Sequence, residues 1–178
     1  MLLTEIATKS NTYQQWYQED TSFWDGSEFE KLKVMSSRKK GAQAERLTAD
    51  IMEGLGCDVP RDRNGNNKKP YSSSDFDLFI DGFRVEVKMS TAWDNTLNKF
   101  TWQQLRNQDY QRVIFVGINP NHLDMWWCTK EELRSFIFGR DKYRQHAGKN
   151  GGQELYWIHT SGGDTVDVPS FFKTMGEW

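Results

Sequence analysis

Apolar and polar residues alternate along residues 74–89, and the alternation is interrupted once, at Asp81-Gly82. Apolar side chains at every second position predict two half-buried strands on either side of this dipeptide. Asp-Gly is a strong signal for a two-residue turn, because both residues tolerate positive φ angles. We therefore expect a β-hairpin with one apolar and one polar face. The apolar positions are Leu78, Ile80, Phe83, Val85, Val87 and Met89.

The polar face of this hairpin carries acidic residues on both strands. A turn at the dipeptide places Asp77 opposite Glu86 and Asp75 opposite Lys88, so that Asp75 is the expected ion-pair partner of the lysine. Carboxylates facing each other repel, and a divalent cation between them would remove the repulsion. Carboxylate oxygens suit Mg²⁺ or Mn²⁺, and the main-chain carbonyl of Val87 offers a third ligand. An ordinary solvated hairpin face is the alternative interpretation.

Periodicity in the rest of the chain predicts a mixed α/β domain. The predicted helices span residues 1–36, 38–56, a short segment from Thr101, Lys130 towards Arg144, and 168–175. The predicted strands start near 57–59 and cover 112–118, 125–129 and 155–160, with polar loops over 60–74 and 145–152. This order favours a central mixed sheet with helices on both sides. A length of 178 residues suits one domain, divided into an N-terminal extension (1–36), a core (38–130) and a C-terminal part (131–178).

Asp77, followed after a short hairpin by Glu86-Val87-Lys88, resembles the core motif of the PD-(D/E)XK nuclease superfamily. That superfamily includes many restriction endonucleases and Holliday-junction resolvases. The resemblance implies a restriction-endonuclease-like three-layer α/β/α domain whose central sheet carries the catalytic hairpin. It also implies Asp77 and Glu86 as ligands of the metal and Lys88 as the lysine that assists attack on the phosphodiester. Phe76 stands where the motif has proline.

Two further segments resemble parts of these nucleases. The superfamily often has a glutamate on the helix before the hairpin, facing the metal site, and the segment 41–45 resembles the start of that helix. Glu45 is therefore a further catalytic candidate, with an ordinary solvated glutamate as the alternative. The segment from Thr101 resembles a helix whose Gln and Arg residues support the active-site lysine or bind phosphate. It adds the candidates Gln103, Gln104 and Arg106.

Positive charge is segregated along a chain whose net charge is only −2. Residues 31–70 hold ten Lys and Arg against five acids, and residues 134–149 hold five against one. Local clusters of this kind suit contact with phosphate, whereas solvated surface charge is the alternative. The candidates for nucleic-acid binding in these segments are Arg61, Arg63, Lys68, Lys69, Arg144, His146 and Lys149.

The expected function is that of a Mg²⁺- or Mn²⁺-dependent endodeoxyribonuclease acting on duplex DNA, with a 5′-phosphate product as the resemblance implies. A homodimer would allow two active sites to cut both strands. The alternatives are a structure-specific nuclease, such as a junction resolvase, and a non-catalytic nucleic-acid-binding module of the same fold. Cys57 and Cys128 form no zinc-binding pattern with the scattered histidines. Without an evident signal peptide or membrane-spanning run, an intracellular, cytoplasmic location is expected.

Overall fold

The computed structural model describes Lys9, residues 23–150 and residues 153–178, apart from the side chains of residues 146–150 and 153. The helices are α1 (Glu30–Lys33), α2 (Ser37–Gly54) and α3 (Lys130–Phe136), with 3₁₀ turns at Asp141–Tyr143 and Met175–Glu177. The strands are β1 (Leu78–Ile80), β2 (Phe83–Thr91), β3 (Thr101–Leu105), β4 (Arg112–Ile118), β5 (Leu123–Thr129), β6 (Arg144–Asn150), β7 (Gln153–His159) and β8 (Lys173–Thr174). No helix in these ranges is long and apolar enough to cross a membrane.

The main sheet has five strands in the order β1-β2-β4-β5-β8. Strands β2 and β4 run parallel, and the other neighbouring pairs are antiparallel. Strand β4 is buried from Val113 to Ile118, as expected for a central strand covered on both faces. The mixed α/β architecture with a mixed sheet is thus confirmed, as are the strands predicted over 112–118 and 125–129.

The predicted hairpin and its register are confirmed. Ile80 pairs with Phe83, and Leu78 pairs with Val85. Asp81 and Gly82 at the turn have φ angles of 49° and 79°, which is the combination that a two-residue hairpin turn of this kind requires. Regular pairing ends at Leu78, so the residues before it lie outside the ladder between β1 and β2.

Helix α2 lies where the sequence predicted it, and it packs against β1 and β2. Its buried residues are Ala44, Thr48, Ala49 and Met52, which share one helical face. The predicted loop after it is also confirmed, since residues 60–74 contain only an isolated bridge between Arg61 and Asn67.

The helix predicted from Thr101 is wrong, because this segment is strand β3. Trp102 and Leu105 are both fully buried, and their separation of three residues imitates helical spacing. In the structure Trp102 pairs with Ile158, and Leu105 pairs with Tyr156. An advance of three residues along β3 therefore matches an advance of only two residues along β7. A β-bulge with Gln104 at φ 57° absorbs the extra residue and turns both side chains inward.

Two other helices differ from the prediction. The helix from Lys130 begins with the expected Thr129 cap, which forms a capping box with Glu132, but it ends at Phe136 instead of continuing towards Arg144. Residues 168–174 form no helix, and Met175 only begins the last 3₁₀ turn. Phe172 instead stacks on Phe115 of the main sheet at 4.4 Å between ring centroids. Tertiary packing of aromatic rings therefore overrides the local pattern in this segment.

The remaining differences concern strands and the N-terminus. Residues 145–150 belong to strand β6 and not to a loop, because β7 supplies an antiparallel partner. The strand predicted as 155–160 is confirmed as β7. No strand starts at 57–59, since Asp58 bonds its main-chain N–H and C=O to the Asp81 turn. Of the predicted N-terminal helix, residues 1–8 and 10–22 lie outside the described chain. Within 23–36 the only helix is α1.

An aromatic cluster joins the main sheet to the second sheet, which has the order β3-β7-β6. The Trp102 ring lies 5.4 Å from Phe115 and 5.8 Å from Trp126, and its Nε1 donates to the Val116 carbonyl at 2.9 Å. Beside this contact, Gly117 leaves room for Phe100, because a Cβ atom there would lie 2.5 Å from the ring.

We expect Gly117→Ala to destabilise the protein by about 1–3 kcal/mol, because the fully buried Phe100 ring has to shift. Gly41→Ala is the matched control: its Cβ meets nothing within 4 Å inside α2, so the variant gains up to about 1 kcal/mol. Urea unfolding measures both changes. A Gly117→Ala variant as stable as the native protein would contradict the packing described here.

Candidate functional site

The hairpin and β2 bring Asp77, Glu86 and Lys88 into one cluster. Glu86 is buried, with 6% of its surface exposed, and Lys88 Nζ donates to its Oε1 at 2.5 Å. The Asp77 Oδ2 atom accepts a hydrogen bond from the Val87 N–H at 2.8 Å. The three residues predicted from the sequence as ligands and catalytic lysine are therefore neighbours in space.

Burial and charge act together on the Glu86 carboxyl. Burial raises its pKa most strongly, Lys88 lowers it, and the adjacent Asp77 raises it again, giving a value of about 7. An ionised Glu86 is thus disfavoured beside Asp77 unless positive charge compensates it. Lys88 supplies part of that charge, and a bound cation would supply more.

Glu45 on α2 lies beside this cluster. Its pKa is raised by burial and by the charge of Asp77, and it is lowered by the charges of Lys69 and Lys88. Glu45 and Asp77 also line one groove, on the side that α2 presents to the hairpin. The position agrees with the role suggested for Glu45, either at a cation or through water.

The main-chain carbonyl of Val87 points towards the same edge of the sheet as Asp77. The Val85 carbonyl accepts from the Asp77 N–H at 2.9 Å, and the Val87 N–H donates to the Asp77 side chain. The N–H and C=O groups of one strand residue point to the same side, so the Val87 carbonyl faces the end of β1 as well. This orientation suits the third ligand inferred from the sequence.

These donors fit Mg²⁺ or Mn²⁺, because they are carboxylate and carbonyl oxygens. Within the described residues, no group of three or more His, Cys, Asp and Glu side chains is arranged to hold a metal. A cation held by Asp77, Glu86 and the Val87 carbonyl would complete its coordination with oxygens of water or phosphate, which is the usual pattern for Mg²⁺.

A groove of about 470 Å³ separates α2 from the loop 61–69 and reaches Asp77. The loop is fixed to the hairpin by Asn67, whose Oδ1 accepts from the Phe79 N–H at 2.7 Å and whose Nδ2 donates to the Phe79 carbonyl at 2.9 Å. The side-chain amide of Asn67 thus satisfies the main-chain groups of Phe79 that a neighbouring strand would otherwise bond, at the open edge of β1. Sequence reasoning missed this residue, because an isolated asparagine in a polar loop carries no periodic signal.

Asp75 does not pair with Lys88, which corrects the sequence prediction. Its Oδ1 accepts from Gln108 Nε2 at 3.3 Å instead. The cause is the early end of the hairpin ladder at Leu78, which removes Asp75 from the predicted register. Lys88 instead forms an ion pair with Glu86, which lies two residues away on the same face of β2.

The positively charged candidates of the loop 61–69 differ in their partners. Arg61 is held by Asp50 and Glu53, at 2.7 and 2.9 Å. Arg63 and Lys68 are exposed and form no ion pair with another described residue. Lys69 donates to two main-chain carbonyls of the segment before Asp77. Arg63 and Lys68 are thus the side chains of this loop with charge available to a phosphate.

The candidates outside that loop also fall into separate groups. Arg106 is partly buried, and its Nε atom has no hydrogen-bond partner in the described chain. Gln103 and Gln104 are exposed on β3, and the Gln104 N–H bonds to Gln145 Oε1 at 3.2 Å. Arg144 pairs with Asp141 and Glu154. The side chains of His146 and Lys149 lie outside the described residues.

Comparison with known proteins gave no match to any family model and no significantly similar curated protein.

We expect the metal-free protein to lose stability as the pH rises from about 5 to 8. Folding raises the pKa of Glu86 from its ordinary value of 4.5 to about 7, so the folded state holds this proton more tightly than the unfolded chain. The associated stability is present below pH 4.5 and is lost as the pH rises through 7. Melting temperatures measured in chelator test this dependence.

Glu86→Gln should flatten that pH dependence, because the neutral amide does not titrate. Glu131→Gln is the control, since Glu131 is exposed on α3 and its removal leaves the buried carboxyl in place. Equal pH slopes for the native protein and Glu86→Gln would show that the burial of Glu86 does not control the change.

Proposed function

We propose that this protein is a Mg²⁺- or Mn²⁺-dependent endonuclease that hydrolyses phosphodiester bonds in DNA. The observation that supports this most directly is the cluster of Asp77, the buried Glu86 and Lys88 at the end of the hairpin. Its order along the chain and its oxygen donors correspond to the PD-(D/E)XK motif. The proposed fold is accordingly restriction-endonuclease-like, with α2 against β1 and β2 as one of its helical layers.

In this proposal Asp77, Glu86 and the Val87 carbonyl hold the cation. When bound, a divalent cation polarises the scissile phosphate and lowers the pKa of a water molecule. The hydrogen bond from the Val87 N–H orients the Asp77 carboxylate, and burial keeps water away from Glu86. Both effects preorganise the oxygens before the cation arrives.

Lys88 would have a different partner with the cation bound. Its bond to Glu86 Oε1 at 2.5 Å compensates the carboxylate without metal. Positive charge at the cation site would share that role and leave the Lys88 ammonium available to the phosphate. There it would stabilise negative charge that develops on the transition state, or orient the attacking water.

Binding of DNA in this proposal relies on local positive charge, since the whole chain carries −2. The preferred phosphate contacts are Arg63 and Lys68 in the exposed loop, and Arg106, whose buried Nε has no hydrogen-bond partner among the described residues. Duplex DNA is the proposed substrate, and a homodimer is the proposed arrangement for cutting both strands.

Asp77→Asn should abolish metal-dependent cleavage and leave the metal-free melting temperature unchanged or higher. The amide keeps an acceptor for the Val87 N–H, while the repulsion between Asp77 and Glu86 disappears. Asp75→Asn is the matched control, and it should retain most activity because Asp75 bonds to Gln108 and not to Lys88.

Cleavage is measured on linear duplex DNA, a four-way junction and RNA, each with Mg²⁺, Mn²⁺, Ca²⁺ or excess chelator. The proposal predicts cutting of duplex DNA with Mg²⁺ or Mn²⁺, and binding with little cutting in Ca²⁺. Preferential cutting of the junction would identify a structure-specific nuclease instead. Robust cleavage in chelator, or an inactive Asp75→Asn beside an active Asp77→Asn, would contradict the two-carboxylate site.

A further inference from the structure

Lys69 occupies an unusual position for a residue of an exposed, positively charged loop. Its Nζ donates to the Phe76 carbonyl at 2.5 Å and to the Ser73 carbonyl at 3.3 Å. The same ammonium lies 4.9 Å from the centre of the Phe76 ring. Its donors are therefore directed at the protein's own main chain and not at solvent.

These contacts hold one particular peptide group, the one that joins Phe76 to Asp77. Its carbonyl accepts from Lys69, and its N–H, which belongs to Asp77, donates to the Val85 carbonyl at 2.9 Å. Both polar ends of this peptide group are thus fixed from opposite directions. Because a peptide group is planar, fixing both ends also restricts the direction of the Asp77 side chain that follows.

Regular strand pairing does not reach this peptide group. The ladder between β1 and β2 ends at Leu78, so Asp77 lies just beyond the regular strand. The residues before it, 70–76, form neither helix nor strand. A cluster that depends on the Asp77 carboxylate therefore depends on a side-chain contact to hold the preceding main chain.

The charge of Lys69 also reaches the cluster. It lines the groove that contains Glu45 and Asp77, and its charge lowers the pKa of Glu45. Lys68, the next residue along the loop, is exposed and makes no comparable contact with the hairpin through its side chain. Two adjacent lysines thus have different surroundings.

We propose that Lys69 is a positioning residue that orients Asp77 for cation binding, whereas Lys68 is the lysine of this loop that contacts phosphate. The proposal rests on the nuclease function proposed above and adds a division of roles within it. It also replaces the sequence-based expectation that both lysines bind nucleic acid. Groups that position metal ligands typically contribute a factor of about 10–100 in metal affinity.

Two measurements on the full-length chain separate the roles. Calorimetric titration with Mn²⁺ in the absence of DNA gives the metal affinity of the native protein, Lys69→Met and Lys68→Met. Binding to duplex DNA in saturating Ca²⁺ at several salt concentrations gives the slope of log K against log salt. Methionine keeps most of the aliphatic stem of each lysine and removes its charge. Lys69→Gln serves the same comparison if thermal unfolding shows that Lys69→Met is not folded.

We expect Lys69→Met to weaken Mn²⁺ binding about tenfold or more and to leave the salt slope unchanged. The Mn²⁺ concentration for half-maximal cleavage should rise by the same factor, while the rate at saturating Mn²⁺ recovers. Lys68→Met should keep the native Mn²⁺ affinity and reduce the salt slope by about one.

Native Mn²⁺ affinity in Lys69→Met would overturn the positioning role, whatever the salt slope. A native protein that binds Mn²⁺ and cleaves DNA would in that case still support the proposed function. A native protein that binds no Mn²⁺ would overturn both proposals. A rate of Lys69→Met that stays low at saturating Mn²⁺ would also contradict a role that acts only through Asp77.

Discussion

The site depends on the closeness of two carboxyl groups, one of which is buried. Asp81-Gly82 sets the hairpin register as far as Leu78, and Asp77 lies one residue beyond the end of that ladder, beside Glu86. Burial of Glu86 and the charge of Asp77 both oppose its ionisation, which is why its pKa rises to about 7. Positive charge has to compensate this arrangement. Lys88 does so in the structure described here, and in the proposed function a divalent cation shares the task.

The surrounding elements keep that arrangement in place. Strand β2 lies between β1 and the buried central strand β4, with which it pairs in parallel, and α2 brings Glu45 to the same site. Asn67 attaches the polar loop to β1, and Lys69 attaches it to the main chain before Asp77. A loop without regular structure thus forms one wall of the groove. Its positively charged side chains differ in surroundings, since Lys69 contacts the main chain and Lys68 is exposed.

Much of the fold and the core of the candidate site could be predicted because their signals are local. Asp81-Gly82 determines the turn, and alternation determines which side chains share a face. The exceptions arise from long-range contacts. The bulge at Gln104 turns two buried residues inward with helical spacing, which conceals a strand. Asp75 leaves the register because the ladder ends early, and Lys69 contacts a carbonyl seven residues away that no sequence pattern marks.

Anomalous diffraction from crystals soaked in Mn²⁺ would show whether Asp77 and Glu86 jointly bind a divalent cation. We expect an anomalous peak between the two carboxylates and beside the Val87 carbonyl. We also expect Lys88 Nζ to move away from its position 2.5 Å from Glu86 Oε1. No peak at this place, with the bond between Lys88 and Glu86 intact at saturating Mn²⁺, would contradict joint binding by the two carboxylates.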